Sequence, residues 1–176
     1  METRAAVSEV FEILSTAWLD AVPRLIPYLT TGCSWEEWVN VEGWLALHAA
    51  GYDDVTPRAP YRSLPPGTRN RPLGDLLVGL PEVQVMVEVK TIHDWTYAKY
   101  AAQVDADPEK LQRETEAGRA TLFVLILTSL DSTKPWVHLD RLRCWSRTTE
   151  LCRAGPLGTS GQVEIRGWLS MPAERG

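Results

Sequence analysis

Several things are scarce in this chain of 176 residues, and each scarcity removes a class of protein. Cysteine occurs only as Cys33, Cys144 and Cys152, with no CxxC pair. A disulfide framework and a thiolate zinc site are thereby excluded, and the pattern fits reduced thiols inside a cell. Basic residues are in the minority, 18 Lys and Arg against 23 Asp and Glu, for a formal charge of −5. A protein that coats nucleic acid by bulk charge is excluded, but a local basic groove is not. No apolar run approaches the ~20 residues of a membrane span. The opening METRAAVSEV lacks the basic-then-apolar pattern of a signal peptide. A cytoplasmic location with no membrane partner is the expectation by elimination. Internal repeats, low-complexity tracts, phosphate-cradling glycine loops and serine or cysteine nucleophile motifs are also missing.

What is present suits one α/β domain over residues 1–176, with 44% apolar and 23% charged residues. Eight tryptophans exceed what a core alone asks for, so some are expected at a partner or ligand surface. Residues 8–30 have helical spacing at Phe11, Leu14, Trp18 and Val22 behind a Ser8 N-cap, with Pro23 and Pro27 expected to break the helix. Ser34 and Glu37 form a capping box for a second helix ending near Ala50, with Gly51 as its left-handed stop. YDDVTP (52–57) predicts a first strand, followed by a proline- and arginine-rich loop over 57–72. Residues 73–79 and 83–91 predict a hairpin turning at GLPE. Asp94 is a candidate cap for a short helix through Gln103. Asp107, Pro108 and Gly118 mark the N-cap, first position and stop of another helix. ATLFVLILTS (120–129) suits a strand buried on both faces, joined to the hairpin by a parallel crossover. Residues 136–153 are ambiguous between helix and strand, and QVEIRGWLS (162–170) has the alternation of a late edge strand. The expected class is α/β, a mixed central sheet flanked by helices with extra N-terminal helices.

The chemistry concentrates in GDLLVGLPEVQVMVEVKT (74–91). Strand alternation sends Glu88 and Lys90 to one face, and the hairpin brings Asp75 opposite the Met86–Glu88 region. Two carboxylates held together repel unless a cation sits between them. A divalent ion with hard oxygen ligands and room for water, Mg²⁺, removes the conflict. On the second helix, with the apolar arc centred on Trp38, Glu42 falls inside the arc at about 40°, whereas Glu36 and Glu37 fall outside or at its margin. An inward carboxylate needs a partner, and a metal site would supply one. Against this stands a plain surface ion pair between Glu88 and Lys90.

The set Asp75…Glu88-Val89-Lys90, with two apolar strands and a preceding acidic helix, resembles the PD-(D/E)XK nuclease superfamily over roughly residues 34–130. Gly74 stands where the naming proline would be. The resemblance implies a restriction-endonuclease-like core, with residues 1–33 as a helical extension and 131–176 as C-terminal strands or helix. It implies Mg²⁺-dependent phosphodiester hydrolysis, with Mn²⁺ as a substitute ion. Asp75, Glu88 and the Val89 carbonyl would hold the metal. Lys90 would orient the attacking water, and Glu42 would be the acid many members place on the first core helix. DNA is the expected partner, with Arg69, Arg71, Lys99 and Lys110 as its contacts alongside Arg58, Arg62, Gln103 and Arg113. Trp95 and Tyr97 could stack on a base, though core packing is the commoner role. Residues 8–30 could mediate a homodimer, as cutting two strands would require. The rival function is a non-cleaving nucleic-acid- or protein-binding member of the same fold. A third is an interaction protein in which Glu88 and Lys90 form only a salt bridge.

Overall fold

ATLFVLILTS forms a strand buried at every position, and the rest of the fold is arranged around it. The computed structural model describes residues 2–29, 35–63, 73–93, 104, 107–129, 149–157 and 161–173. Among them the elements are α1 (Glu2–Leu29), α2 (Glu36–Ala49), β1 (Val55–Pro57), β2 (Leu76–Gly79), β3 (Gln84–His93), α3 (Asp107–Glu116), β4 (Ala120–Ser129), β5 (Thr149–Leu157) and β6 (Gly161–Ser170). The strands form one mixed sheet in the order β1-β2-β3-β4-β6-β5. β3 and β4 are parallel, paired from Val85↔Ala120 to His93↔Thr128, and every other pairing is antiparallel. The parallel pair demands a crossover connection, and α3 lies within it. The expected α/β class with a mixed central sheet and flanking helices is therefore present.

Side-chain alternation divides the core in two. On one face Val85, Val87 and Val89 pack with Leu122, Val124 and Ile126 beneath α1 and α2. On the other, Met86, Phe123, Leu125 and Trp168 pack with Tyr61, Val104 and Leu111. α1 and α2 meet at Gly43, where an added Cβ would lie 2.9 Å from Leu14 Cδ2 and 3.1 Å from Trp18 Cζ2. The Trp18 indole donates to the Val39 carbonyl at 2.9 Å across the same contact.

Four expectations need correction or completion. α1 is continuous through Pro23 and Pro27. Both prolines are exposed, so water can meet the carbonyls they free, while the buried stripe Val7, Phe11, Leu14, Trp18 and Val22 holds the helix down. Ser8 lies inside this helix and caps nothing at its start. β6 is not an edge strand: it lies between β4 and β5, and β5 accounts for the end of the segment that was ambiguous. The phase of α2 differs from a wheel centred on Trp38. Trp35, Val39, Gly43 and Leu47 are buried, and Val41 and Leu45 are 55% and 50% exposed. Ser34, the Asp94–Gln103 helix and residues 136–148 lie outside the described residues. Gly51 and Gly118 stop their helices as expected, at φ 90° and 88°. No helix among the described residues is long and apolar enough to cross a membrane.

Candidate active site

β3 outruns β2, and the acids collect at the step this leaves. The hairpin pairs Leu76 with Val87 and closes with the Leu80 amide donating to the Val83 carbonyl at 2.9 Å. Asp75 follows as the next residue outward. Its amide donates to the Val87 carbonyl at 3.2 Å, and its own carbonyl accepts from the backbone amide of Arg58, the residue after β1, at 2.9 Å. The odd-numbered residues of β3 turn N–H and C=O toward β2. At Val89 no β2 backbone remains within the paired register, and the Asp75 side chain takes its place: Val89 N–H donates to Asp75 Oδ2 at 2.7 Å. The Val89 carbonyl turns to the same side.

The side chains expected to converge do so. Glu88 is buried, and Lys90 Nζ lies 3.8 Å from its Oε1. The surrounding partners come from distant segments. Asn40 of α2 donates to Asp75 Oδ1 at 2.7 Å. Tyr61 donates its hydroxyl to Glu88 Oε2 at 2.6 Å. Lys90 donates to Glu36 Oε1 at 3.0 Å and faces Asp107 Oδ2 at 3.8 Å. Asp107 Oδ1 in turn accepts from Lys110 at 2.5 Å.

Glu42 is not part of this set. It lies one and a half turns along α2 and pairs with Arg24 of α1 at 3.2 Å. The acid that α2 delivers is Glu36, which the Trp38-centred wheel placed outside the apolar arc. Once the stripe is Trp35–Val39–Gly43–Leu47, Glu36 and Asn40 fall together one step round from it, a turn apart. The glycine inside the helix was the available sign of that phase, since it marks a close approach. Tyr61 had no signal in a loop rich in proline, and Asp107 was legible only as a cap. Lys110 joins the cluster through Asp107. Arg69, Arg71, Lys99 and Gln103, with Asp94, Trp95 and Tyr97, lie outside the described residues. Arg62 donates to Gln84 Oε1 at 2.8 Å, and Arg58 is exposed beside Glu37 at 3.9 Å.

Among the described residues charge is unbalanced here: the carboxylates Asp75, Glu88, Glu36 and Asp107 face the ammonium groups of Lys90 and Lys110 alone. Burial pushes Asp75 up to about 6, with Glu36 adding to the rise and the Val89 amide and Lys90 opposing it. Burial, then the charge of Asp75, pushes Glu88 up to about 7 against the Tyr61 bond and Lys90. Burial draws Lys90 down, but Glu36, Glu88 and Asp107 outweigh it and hold the ammonium above its ordinary value. Tyr61 is pushed far above its usual range by burial and by Glu88, so it remains a donor.

No group of three or more His, Cys, Asp or Glu side chains is arranged to hold a metal among the described residues. Mg²⁺ does not need one: it keeps several waters and uses one or two carboxylates. Two observations fit a hydrated cation. The Asp75–Glu88 pair is destabilised by its own negative charge. Asn40 Oδ1 and Asp107 Oδ2, flanking the pair, are buried acceptors with no hydrogen-bond donor among the described residues, and the waters of a hydrated ion can supply one. No family model, curated protein or solved structure matches the chain.

Proposed function

We propose that this chain is a metal-dependent nuclease that hydrolyses phosphodiester bonds, with DNA as its substrate and a restriction-endonuclease-like core. The observation that carries the proposal is the convergence of Asp75, Glu88 and Lys90 where β3 outruns β2, with both carboxyls raised to values a cation would relieve. The element order α2-β1-β2-β3-α3-β4, with β3 and β4 parallel, supports the same family resemblance.

Asp75, Glu88 and the Val89 carbonyl would hold Mg²⁺ or Mn²⁺. A bound divalent ion polarises a phosphate oxygen and lowers the pKa of a coordinated water. Asn40 and the Val89 amide fix the Asp75 carboxylate in one orientation, and Tyr61 does so for Glu88. Such outer partners set how well a carboxylate serves as a ligand. Lys90 keeps its proton throughout the neutral range and offers a fixed ammonium for the attacking water or for charge developing on phosphate. Glu36 positions that ammonium, a role the sequence suggested for no residue.

The test is cleavage of supercoiled plasmid, linear duplex, single-stranded DNA and RNA in Mg²⁺ or Mn²⁺, with chelator and Lys90→Ala as controls. Metal-dependent cutting that Lys90→Ala loses is the expected result. A second reading, a non-cleaving nucleic-acid- or protein-binding member of the fold, is favoured by one observation: Lys90 closes on Glu36 at 3.0 Å and is satisfied without a substrate. No cutting of any substrate, with no Mg²⁺-induced rise in melting temperature, would favour that reading.

A further inference from the structure

A cavity of about 740 Å³ opens beside the acids, and its lining is unlike the rest of the site. It shares Asp75, Glu36 and Asn40 with the carboxylate cluster, then continues over Val41, Trp44, Pro57 and Leu73. The exposed large hydrophobics among the described residues are Val41, Leu45 and Leu73, at 55%, 50% and 40%. Two of them line this cavity, and Leu45 stands one turn along α2 from Val41. Arg58 lines it too, held at φ 53° where an arginine is rarely found. The volume falls within the roughly 300–1,000 Å³ of small-molecule sites.

Resting on the nuclease reading above, we infer that this recess receives an unpaired nucleobase of the strand being cut. The substrate is then a single strand, or a duplex with a displaced base, rather than undisturbed duplex. Two features select the occupant. The recess adjoins the proposed metal site through Asp75, so a group attached to a phosphate held there can reach it. Its walls combine apolar surface with the acceptors of Glu36 and Glu37, which would repel an anionic backbone but suit a flat, neutral group bearing amino donors. A base has that chemistry, and the Trp44 ring with the Val41 and Leu73 side chains supplies the kind of surface on which bases stack. Arg58 at the rim complements the flanking phosphate. A base inside a duplex is out of reach of such a recess until it leaves the stack.

The test is fluorescence anisotropy of short single-stranded oligonucleotides in Mg²⁺, using the full chain with Lys90→Ala so that the probe stays intact. One oligonucleotide carries every base, and the others carry a single abasic position moved stepwise along the strand. One abasic position is expected to weaken binding about tenfold, in line with base–aromatic stacking. Val41→Gln, uncharged and at an exposed position, is expected to weaken binding of the intact oligonucleotide several-fold and to leave that abasic one unchanged. Equal affinity for the intact and all abasic strands would overturn the inference. So would Val41→Gln leaving binding intact while turning a dimer into a monomer in sedimentation, which would make the face a self-interface. Metal-dependent cleavage by the wild-type chain separates the two ideas. If cutting is retained but no base matters, the recess proposal fails and the nuclease proposal stands. If neither cutting nor oligonucleotide binding is found, both fail.

Discussion

Glu88→Gln should stabilise the metal-free protein at pH 8 while removing its response to Mg²⁺. Glu88 rises from an ordinary 4.5 to about 7, first because it is buried and then because Asp75 lies beside it. A rise of that size corresponds to roughly 3 kcal/mol by which the folded protein disfavours the ionised carboxylate. Asp75, raised from 3.8 to about 6, adds a similar load. Both folded-state values lie above the unfolded ones, so the folded chain binds more protons. This contribution to stability is fully present below about pH 4 and is lost as pH rises through 6 to 7. Glutamine mimics the protonated carboxyl, can still accept from Tyr61, and does not titrate. Relative to wild type, Glu88→Gln should therefore shift toward stability by roughly 1–3 kcal/mol between pH 5 and pH 8 in chelator. For a chain of this size that is about 2–10 °C in melting temperature. Circular-dichroism melts of both proteins across that range measure it. Saturating Mg²⁺ at pH 8 should raise the wild-type melting temperature, by about 2.7 kcal/mol of stability at a hundredfold excess over Kd, and leave the variant nearly unmoved. An offset between the two proteins that is the same at pH 5 and pH 8 would refute the electrostatic account. An equal Mg²⁺ response would refute Glu88 as a ligand.

Three further outcomes follow, two from partners in the site and one from Glu42 outside it. Tyr61→Phe removes a bond that lowers the Glu88 pKa, so the pH midpoint of Mg²⁺ binding should move upward, at a stability cost of about 1 kcal/mol. Asn40→Ala frees Asp75 Oδ1 and should weaken Mg²⁺ binding by about 10- to 100-fold in calorimetry, as loss of an outer partner does at other metal sites. Glu42→Ala should leave Mg²⁺ binding and cleavage unchanged and cost under about 1 kcal/mol, because it breaks only a half-exposed pair with Arg24. Glu114→Gln is the contrast away from the site. It disrupts a buried pair with Arg119 at 2.9 Å and weakens the acceptor for the Ser63 amide, so denaturant melts should register a loss of roughly 3–5 kcal/mol.

The limits of the sequence are visible in α2. Its apolar residues exceed what one face can hold, and a wheel drawn through Trp38, Val41 and Leu45 looks as amphipathic as the true one. The observed phase is set by what α1 and the sheet offer: a slot narrow enough to require Gly43 over Leu14 and Trp18. That rotation carried Glu42 out of the site and Glu36 into it. In α1 the rule that proline breaks a helix failed for a related reason: the buried stripe from Val7 to Val22 is anchored in the core, and the exposed Pro23 and Pro27 come after it. β6 alternates like an edge strand, yet β5 from an ambiguous segment pairs outside it.

What the sequence by itself determined is the local part of the site. Asp75, Glu88 and Lys90 belong to one hairpin, where the two-residue period and a tight turn leave few ways to pair the strands. The burial of ATLFVLILTS and the helix stops at Gly51 and Gly118 are local for the same reason. Only the tertiary structure decided which groups surround those three. Glu36, Asn40, Tyr61 and Asp107 arrive from a helix, a loop and a second helix N-terminus, each placed by docking against the sheet. Periodicity states which residues share a face of a helix, but not how far the helix turns when it packs, and that turn decides that Glu36 and Asn40 meet Lys90 and Asp75.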